Sequence, residues 1–223
     1  YLVPSARFGA RMGDTQMLDL MVGALHDPFH KIHMGITAEN VAEQFGISRS
    51  MMDELATESH RRAAAAIAAG RFKDQIVPVM IKSRKGEVAF DTDEHVKADT
   101  SMETLGKMRP AFKKDGAVTA GNASGINDAA AAVVLAAGDA VKAQNLKPLA
   151  RLVGYAHTGV EPTIMGIGPV SASRKVLAKV GLTVADLDVI ESNEAFAAQA
   201  CAVVKELQLD PAKVNPNGSG ISL

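Results

Sequence analysis

The stretch N-E-A-F-A-A-Q-A-C, residues 193–201, brings an amide, a carboxylate and a thiol close together in the chain. It follows the apolar run D-V-I-E-S and opens a run with helical spacing, so we expect Asn193 where a strand ends and a helix begins. Ligands of open α/β sheets collect at that edge. Asn193 could there hold a water or donate to a developing oxyanion. The position also suits a helix N-cap, and the spacing alone favours the cap over a catalytic role.

Cys201 is the only cysteine of the chain and the only thiol that could act as a nucleophile. It lies about 12 Å further along the helix than Asn193, at 1.5 Å per residue. A nucleophilic thiol needs a nearby base, metal or helix start to lower its pKa, whereas the neighbours of Cys201 are mostly alanines. We therefore interpret Cys201 as a buried packing residue.

Two further groups could bind a ligand. His26, His30 and His33 have the spacing of one helical face and could mimic a zinc site, but Pro28 interrupts the helix and no cysteine is near, so we expect no metal. The G-N-A-S-G run at residues 121–125 allows a ligand to approach the backbone closely. It lacks the lysine of a P-loop and equally suits a tight turn.

The elements that must position these residues differ between the two halves of the chain. The first half predicts an exposed helix near 17–25, helices at 37–46 and 48–70, a hairpin over 76–90 with Gly86 in the turn, and a loop with short helical turns over 91–115. In the second half, the apolar run 129–137 predicts a central strand or a buried helix. Strands at 149–156 and 186–191 alternate with helices at 171–181 and 194–208, which indicates an α/β layer.

Composition excludes several classes of protein. The 223 residues carry 24 Lys and Arg against 25 Asp and Glu, so no global charge attracts nucleic acid. No apolar run is long enough to span a membrane. One cysteine fits a reducing compartment, and we expect a cytoplasmic protein. The chain opens on Tyr1 and closes on G-S-G-I-S-L, which we interpret as a piece of a longer protein.

Six segments resemble the thiolase family and follow one another in thiolase order. They are H-M-G-I-T-A-E-N-V-A (33–42), R-F-K-D-Q-I-V-P-V (71–79), R-P-A-F-K-K-D-G-A-V-T-A-G-N-A-S-G-I-N-D-A-A-A-A (109–132), M-G-I-G-P-V (165–170), N-E-A-F-A-A-Q (193–199) and N-P-N-G-S-G-I-S-L (215–223). Within the family, the chain is similar to the bacterial acetyl-CoA acetyltransferases and the broad-specificity β-ketothiolases of polyhydroxyalkanoate producers.

The resemblance implies an acyl-CoA acyltransferase that condenses two acetyl-CoA to acetoacetyl-CoA and CoA and also runs the reverse thiolysis. Both catalytic cysteines and the histidine of a G-H-P motif would lie outside these residues, so the fragment alone should be inactive. Asn193 would remain as the catalytic residue that orients a water in an oxyanion hole. The alternative is a non-catalytic CoA-binding or scaffold protein, and a third option is an enzyme that uses Cys201 itself.

The same resemblance implies a substrate site but no cofactor, because the coenzyme A thioester is the substrate. Ala120 and Ser124 would contact the pantetheine arm, and Lys97 would stand where the family often has an arginine beside the nucleotide. The tunnel walls would be Leu25, His33, Met34, Phe112, Met165, Ala195 and Phe196.

The implied fold is a partial thiolase fold of the α/β class. Residues 1–127 would form an α-rich loop domain that covers CoA and pairs subunits into a homotetramer. Residues 128–149 would end the N-terminal core domain, and residues 150–223 would begin the C-terminal one, both of them layered αβα domains.

Overall fold

The structure is a computed structural model that describes residues 1–223. Its helices are α1 (Leu20–Ala24), α2 (Met34–Phe45), α3 (Arg49–Ala68), α4 (Met102–Gly106), α5 (Gly138–Ala143), α6 (Gly168–Val180) and α7 (Ala197–Leu207). Strands β1 (Val79–Ser83) and β2 (Gly86–Phe90) form an antiparallel hairpin. Three 3₁₀ helices cover Pro4–Phe8, Pro162–Ile167 and Val184–Asp186. No helix is long and apolar enough to cross a membrane.

The predicted helices of the first half are confirmed, with shifted boundaries. Helix α3 begins after Ser48, whose hydroxyl accepts from the Met51 backbone N–H. Helix α2 begins three residues earlier than predicted, because the His33 ring caps it by accepting from the Gly35 backbone N–H. It ends at Gly46, which has a φ of 63°. The hairpin turns at Gly86 as predicted, and α4 supplies a short helical turn in the loop that follows.

The predicted strands of the second half are wrong for this structure. Residues 126–136 and 147–160 make no backbone–backbone hydrogen bonds. The run 129–137 is neither a buried strand nor a buried helix, since Val134 is 96% exposed. Of the strand predicted over 186–191, a single parallel bridge remains, between Ile190 and Val214. A strand is stable only beside a partner strand, and these segments have none here.

The core lies where α2, α3 and α7 meet. Its largest fully buried side chains are Met52 of α3, Ile221, Val41 of α2 and Val118. Helices α3 and α7 approach each other through small residues, among them Ala56, Ala198 and Ala202. Small side chains let the two helix backbones pack closely, so polar groups on α3 can reach the segments before and after α7.

Two buried carboxylates fix the loop over residues 116–124. Glu39 of α2 accepts from the backbone N–H groups of Ala117 and Val118 at 2.9–3.0 Å. Asp53 of α3 accepts from the Asn122 side chain at 2.9 Å. The Asn122 side-chain oxygen in turn accepts from the backbone N–H of Thr119 at 2.8 Å. The loop therefore has a defined conformation although it contains no helix or strand.

We expect Asn122→Ala to lower the free energy of unfolding by about 1–3 kcal/mol, because Asp53 Oδ1 and the Thr119 backbone N–H lose their hydrogen-bond partner, while the other oxygen of Asp53 keeps its ion pair with Arg49. Denaturant unfolding measures this change. Asn127→Ala is the matched control: Asn127 is exposed, and its loss should change the same quantity by less than about 0.5 kcal/mol. Equal losses in the two variants would contradict this role of the Asn122 amide.

Candidate functional site

Asn193 lies on an irregular segment ahead of α7, and the N-cap interpretation is wrong. The helix begins at Ala197 and the cap position is Phe196. The Gln199 side chain accepts from the Phe196 backbone N–H and donates to the Asn193 carbonyl, both at 3.0 Å. Because Gln199 fixes the backbone of this segment, the Asn193 side chain is free for another use. It is exposed and lines a cavity of about 410 Å³.

Met165 and Ala195 line the same cavity as Asn193. Met165 belongs to the 3₁₀ helix Pro162–Ile167, which packs against α2 and α7. Ala195 also joins the cavity to the 116–124 loop, because its carbonyl accepts from the Ser124 backbone N–H at 2.9 Å. Four predicted site residues from three parts of the chain therefore lie close together: Ser124, Met165, and Asn193 with Ala195.

A second group of predicted residues forms an aromatic cluster next to this segment. The His33 and Phe112 rings stack with centroids 4.7 Å apart, and Phe112 meets Phe196 edge to face at 6.0 Å. The Phe112 ring occupies the space that a side chain on Gly35 would need. Met34 joins Leu25 through a backbone hydrogen bond of 2.8 Å. Leu25, His33, Met34, Phe112 and Phe196 thus come together.

The two pantetheine candidates share the loop over 116–124. Ala120 is exposed and Ser124 half-buried, and Ala123 forms a backbone bridge with Phe196. Lys97 is exposed on another loop, where its backbone N–H donates to His60 Nδ1 at 3.2 Å. His95, two residues before Lys97, packs against Gly125. The Lys97 loop therefore lies against the far end of the Ser124 loop.

The His33 ring is held in its neutral form. Its Nδ1 accepts the Gly35 backbone N–H at 2.9 Å, which requires an unprotonated nitrogen. Burial, and then the nearby His26, lowers the pKa of His33. A neutral imidazole beside two phenyl rings makes this part of the site apolar.

Cys201 has the environment of a packing residue. Its sulfur donates to the Met51 carbonyl of α3 at 3.6 Å. Burial first, and then the charges of Glu194 and Glu54, raise the pKa of Cys201 to about 12. A thiol with that pKa is protonated at neutral pH, so the geometry argues against an enzyme that uses Cys201 as its nucleophile.

The three histidines considered for a metal do not share a helix. His26 and His33 face each other across a backbone bridge, and His30 lies 3.4 Å from Glu161. No group of three or more His, Cys, Asp or Glu side chains could hold a metal ion.

Sequence reasoning missed the buried polar residues that position the site. These are Glu39, Asp53, Asn122, Gln199 and Glu194. Two of them carried a signal: Asn122 as a polar residue inside the G-N-A-S-G turn, and Glu194 as the carboxylate next to Asn193, although no pattern indicated that Glu194 is buried. The others lie in amphipathic or alanine-rich runs, where spacing does not distinguish a buried acid from a solvated one.

Comparison with known proteins gives matches along nearly the whole chain. The family model for the thiolase N-terminal domain matches residues 1–139, and the model for the thiolase C-terminal domain matches residues 146–223. The β-ketothiolase BktB of Cupriavidus necator is 66% identical over the entire chain. The chain spans 57% of the length of that relative.

Solved structures match the fold equally well. The acetyl-CoA acetyltransferase of Bacillus anthracis superposes with a TM-score of 0.94 at 52% identity, covering all of this chain and 57% of that one. A human mitochondrial 3-ketoacyl-CoA thiolase in complex with CoA superposes with a TM-score of 0.92 at 46% identity, covering all of this chain and 56% of that one.

We expect the free energy of unfolding to fall as the pH drops below about 6.5. Because the pKa of His33 is lowered in the folded state, the unfolded chain binds a proton there first. Equilibrium unfolding between pH 7.5 and 5 measures the slope. His33→Asn keeps a capping side chain that does not titrate and should give a shallower slope. His60, also buried with a lowered pKa, accounts for a residual slope in that variant. An identical slope in both proteins would rule out a neutral His33.

Cys201 should resist alkylation in the folded protein. With its pKa raised to about 12, the thiolate is scarce at pH 8, so iodoacetamide should label the peptide that carries Cys201 at least about tenfold more slowly than it does in denaturant. Mass spectrometry of that peptide follows the reaction. Equal rates in the folded and unfolded protein would contradict the packing role.

Proposed function

The chain belongs to the thiolase family, and on that premise we propose that the complete protein is an acyl-CoA acyltransferase. It condenses two acetyl-CoA to acetoacetyl-CoA and CoA, and it catalyses the reverse thiolysis. The family and the partial thiolase fold predicted from the sequence are confirmed. The activity is carried over from relatives of which this chain spans 57%, so it stands as a proposal for the whole protein.

The observation that carries the proposal is that small, apolar and aromatic residues lie together at the segment before α7. A pantetheine arm is a long flexible chain with two amides, and it needs apolar walls with few polar points. The stacked rings of His33 and Phe112 offer such a wall, and the exposed Ala120 leaves the backbone of its loop accessible. One solved neighbour is a thiolase in complex with CoA, which agrees with acyl-CoA as the ligand. No further cofactor enters the proposal.

In the proposed reaction a cysteine thiolate attacks the thioester, and CoA leaves as a thiolate that takes a proton from the thiol of a second cysteine. That second cysteine, now a thiolate, removes the α-proton of a second acetyl-CoA. The resulting carbanion attacks the acyl-cysteine, which forms the new C–C bond and expels the first cysteine thiolate. The oxygen of that second thioester carries the negative charge while the enolate exists. We assign Asn193 to this charge, through a water that its amide orients.

The cysteines and the histidine of the reaction are assigned to parts of the complete protein beyond these residues. The pKa of Cys201, about 12, supports this assignment. By the same proposal, residues 128–149 form part of one core domain and residues 150–223 form part of the other. Residues 126–136 and 147–160 pair there with strands of these two domains. Residues 1–127 cover CoA and join subunits into a tetramer in the cytoplasm.

The assignment of Asn193 predicts a selective defect. Asn193→Ala in the complete protein should lower kcat for thiolysis and condensation by about 10²–10³, the usual effect of losing an oxyanion-hole group. The KM for acetyl-CoA should change little, because the group acts in the transition state. Steady-state kinetics measures both. Cys201→Ala is the control and should keep kcat within about twofold.

Two results would decide against this assignment. An Asn193→Ala enzyme with unchanged kcat would remove Asn193 from the reaction. A complete wild-type protein that binds CoA but turns over neither acetyl-CoA nor acetoacetyl-CoA would favour the alternative of a non-catalytic CoA-binding or scaffold protein.

A further inference from the structure

Glu194 follows Asn193 in the chain but points into the protein. Its side chain is buried, with the residue 4% exposed. One carboxylate oxygen accepts from the Ser59 hydroxyl of α3 at 2.6 Å, and the other accepts from the Asn215 amide at 3.0 Å. Burial raises the pKa of Glu194, while its hydrogen bonds and the charge of Arg62 oppose that rise. The proposed function gives this carboxylate no part.

The partners of Glu194 also hold residues 215–222, the loop that follows α7. The Ser59 hydroxyl lies 2.8 Å from that of Ser222 and accepts from the Ser219 backbone N–H at 3.3 Å. The Asn215 side chain bonds both the N–H and the carbonyl of Ser192 at 2.7 Å. This loop is therefore fixed to α3 on one side and to the segment just before Asn193 on the other.

Gly220 is the point at which this loop meets Asn193. A Cβ built on Gly220 would lie 2.6 Å from the Asn193 side-chain oxygen, and the next nearest atom, the Glu194 carbonyl oxygen, would be 3.4 Å away. The backbone of Gly220 is not left-handed, so any residue could adopt it. A methyl group at this position would therefore displace the Asn193 side-chain oxygen.

We propose that the 215–222 loop, locked by the buried Glu194 carboxylate, is a positioning device for Asn193, with Gly220 as its contact surface. Glu194, Ser59 and Ser222 keep the loop from moving away. Gly220 lets the Asn193 amide lie against it and limits the directions in which that amide can point. The chemistry of the amide then depends on Gly220, which has no side chain of its own to react. This inference rests on the role proposed for Asn193.

The test is a double-mutant cycle in the complete protein. In the wild-type background, Gly220→Ala should lower kcat for thiolysis by about 10- to 100-fold, because displacing a reacting group by about 1 Å costs that much. The KM for acetoacetyl-CoA should stay within about twofold. In an Asn193→Ala background the new methyl group has nothing to displace, so kcat should change by less than about twofold. Gly106→Ala is the matched control, since a Cβ at Gly106 meets no atom within 4 Å.

A second readout separates positioning from general damage. Exchange of labelled CoA into acetyl-CoA requires acyl transfer but no enolate, so Gly220→Ala should leave its rate unchanged. Glu194→Gln keeps the size of the side chain but changes its hydrogen bonding. It should lower kcat at least about threefold in the wild-type background and by less than about twofold in the Asn193→Ala background.

Three outcomes would overturn the inference: an unchanged kcat in Gly220→Ala, equal losses in both backgrounds, or a crystal structure of Gly220→Ala in which Asn193 has not moved. The crystal structure is independent of turnover. If the complete wild-type protein has no activity, the proposed function fails. The position of Asn193 in the crystal structure of Gly220→Ala then still decides whether Gly220 directs the Asn193 amide.

Discussion

The arrangement of the site depends on three of the carboxylates that the protein buries: Glu39, Asp53 and Glu194, which are 5%, 2% and 4% exposed. Burial of a charged group is costly unless hydrogen bonds replace the lost water. Each of these carboxylates accepts from a loop or from a residue that holds a loop. The loops that carry the candidate site supply part of the hydrogen bonds that compensate this burial. Arg49 and Ser59 of α3 supply the rest, at 2.7 Å from Asp53 and 2.6 Å from Glu194.

Helix α3 is the element on which these interactions converge. Asp53 near its start binds Asn122, Ser59 in its middle binds Glu194, and Arg62 further on donates to the carbonyls of Val214 and Asn215. Its alanines leave room for α7 to pack closely. One helix therefore sets the distance between the loop with Ser124 and the segment with Asn193, and it does so without contributing a residue to the site itself.

Local patterns predicted those parts of the fold that local interactions stabilise. The caps at Ser48 and Gly46 and the turn at Gly86 follow from the nearest few residues, and the structure has them. The composition of the run 129–137 predicts a buried strand or a buried helix, but burial depends on partners that composition does not supply. At Asn193, spacing alone favours a helix cap over a residue of an oxyanion hole. In the structure the Gln199 side chain makes the capping hydrogen bonds of that segment, to the backbone of Phe196 and Asn193. The alanine-rich run around Gln199 does not predict these bonds.

The hydrogen bonds around Asn193 have a consequence for how the protein folds. Ser59 and Ser222 are 163 residues apart in the chain, and Ser59 and Glu194 are 135 apart. Contacts of such long range form late, since the chain must close a large loop before it gains from them. During synthesis on the ribosome, α3 emerges long before residues 215–222. The environment of Asn193 thus forms only after residues 215–222 have emerged, and a nascent chain with α3 already folded still lacks it.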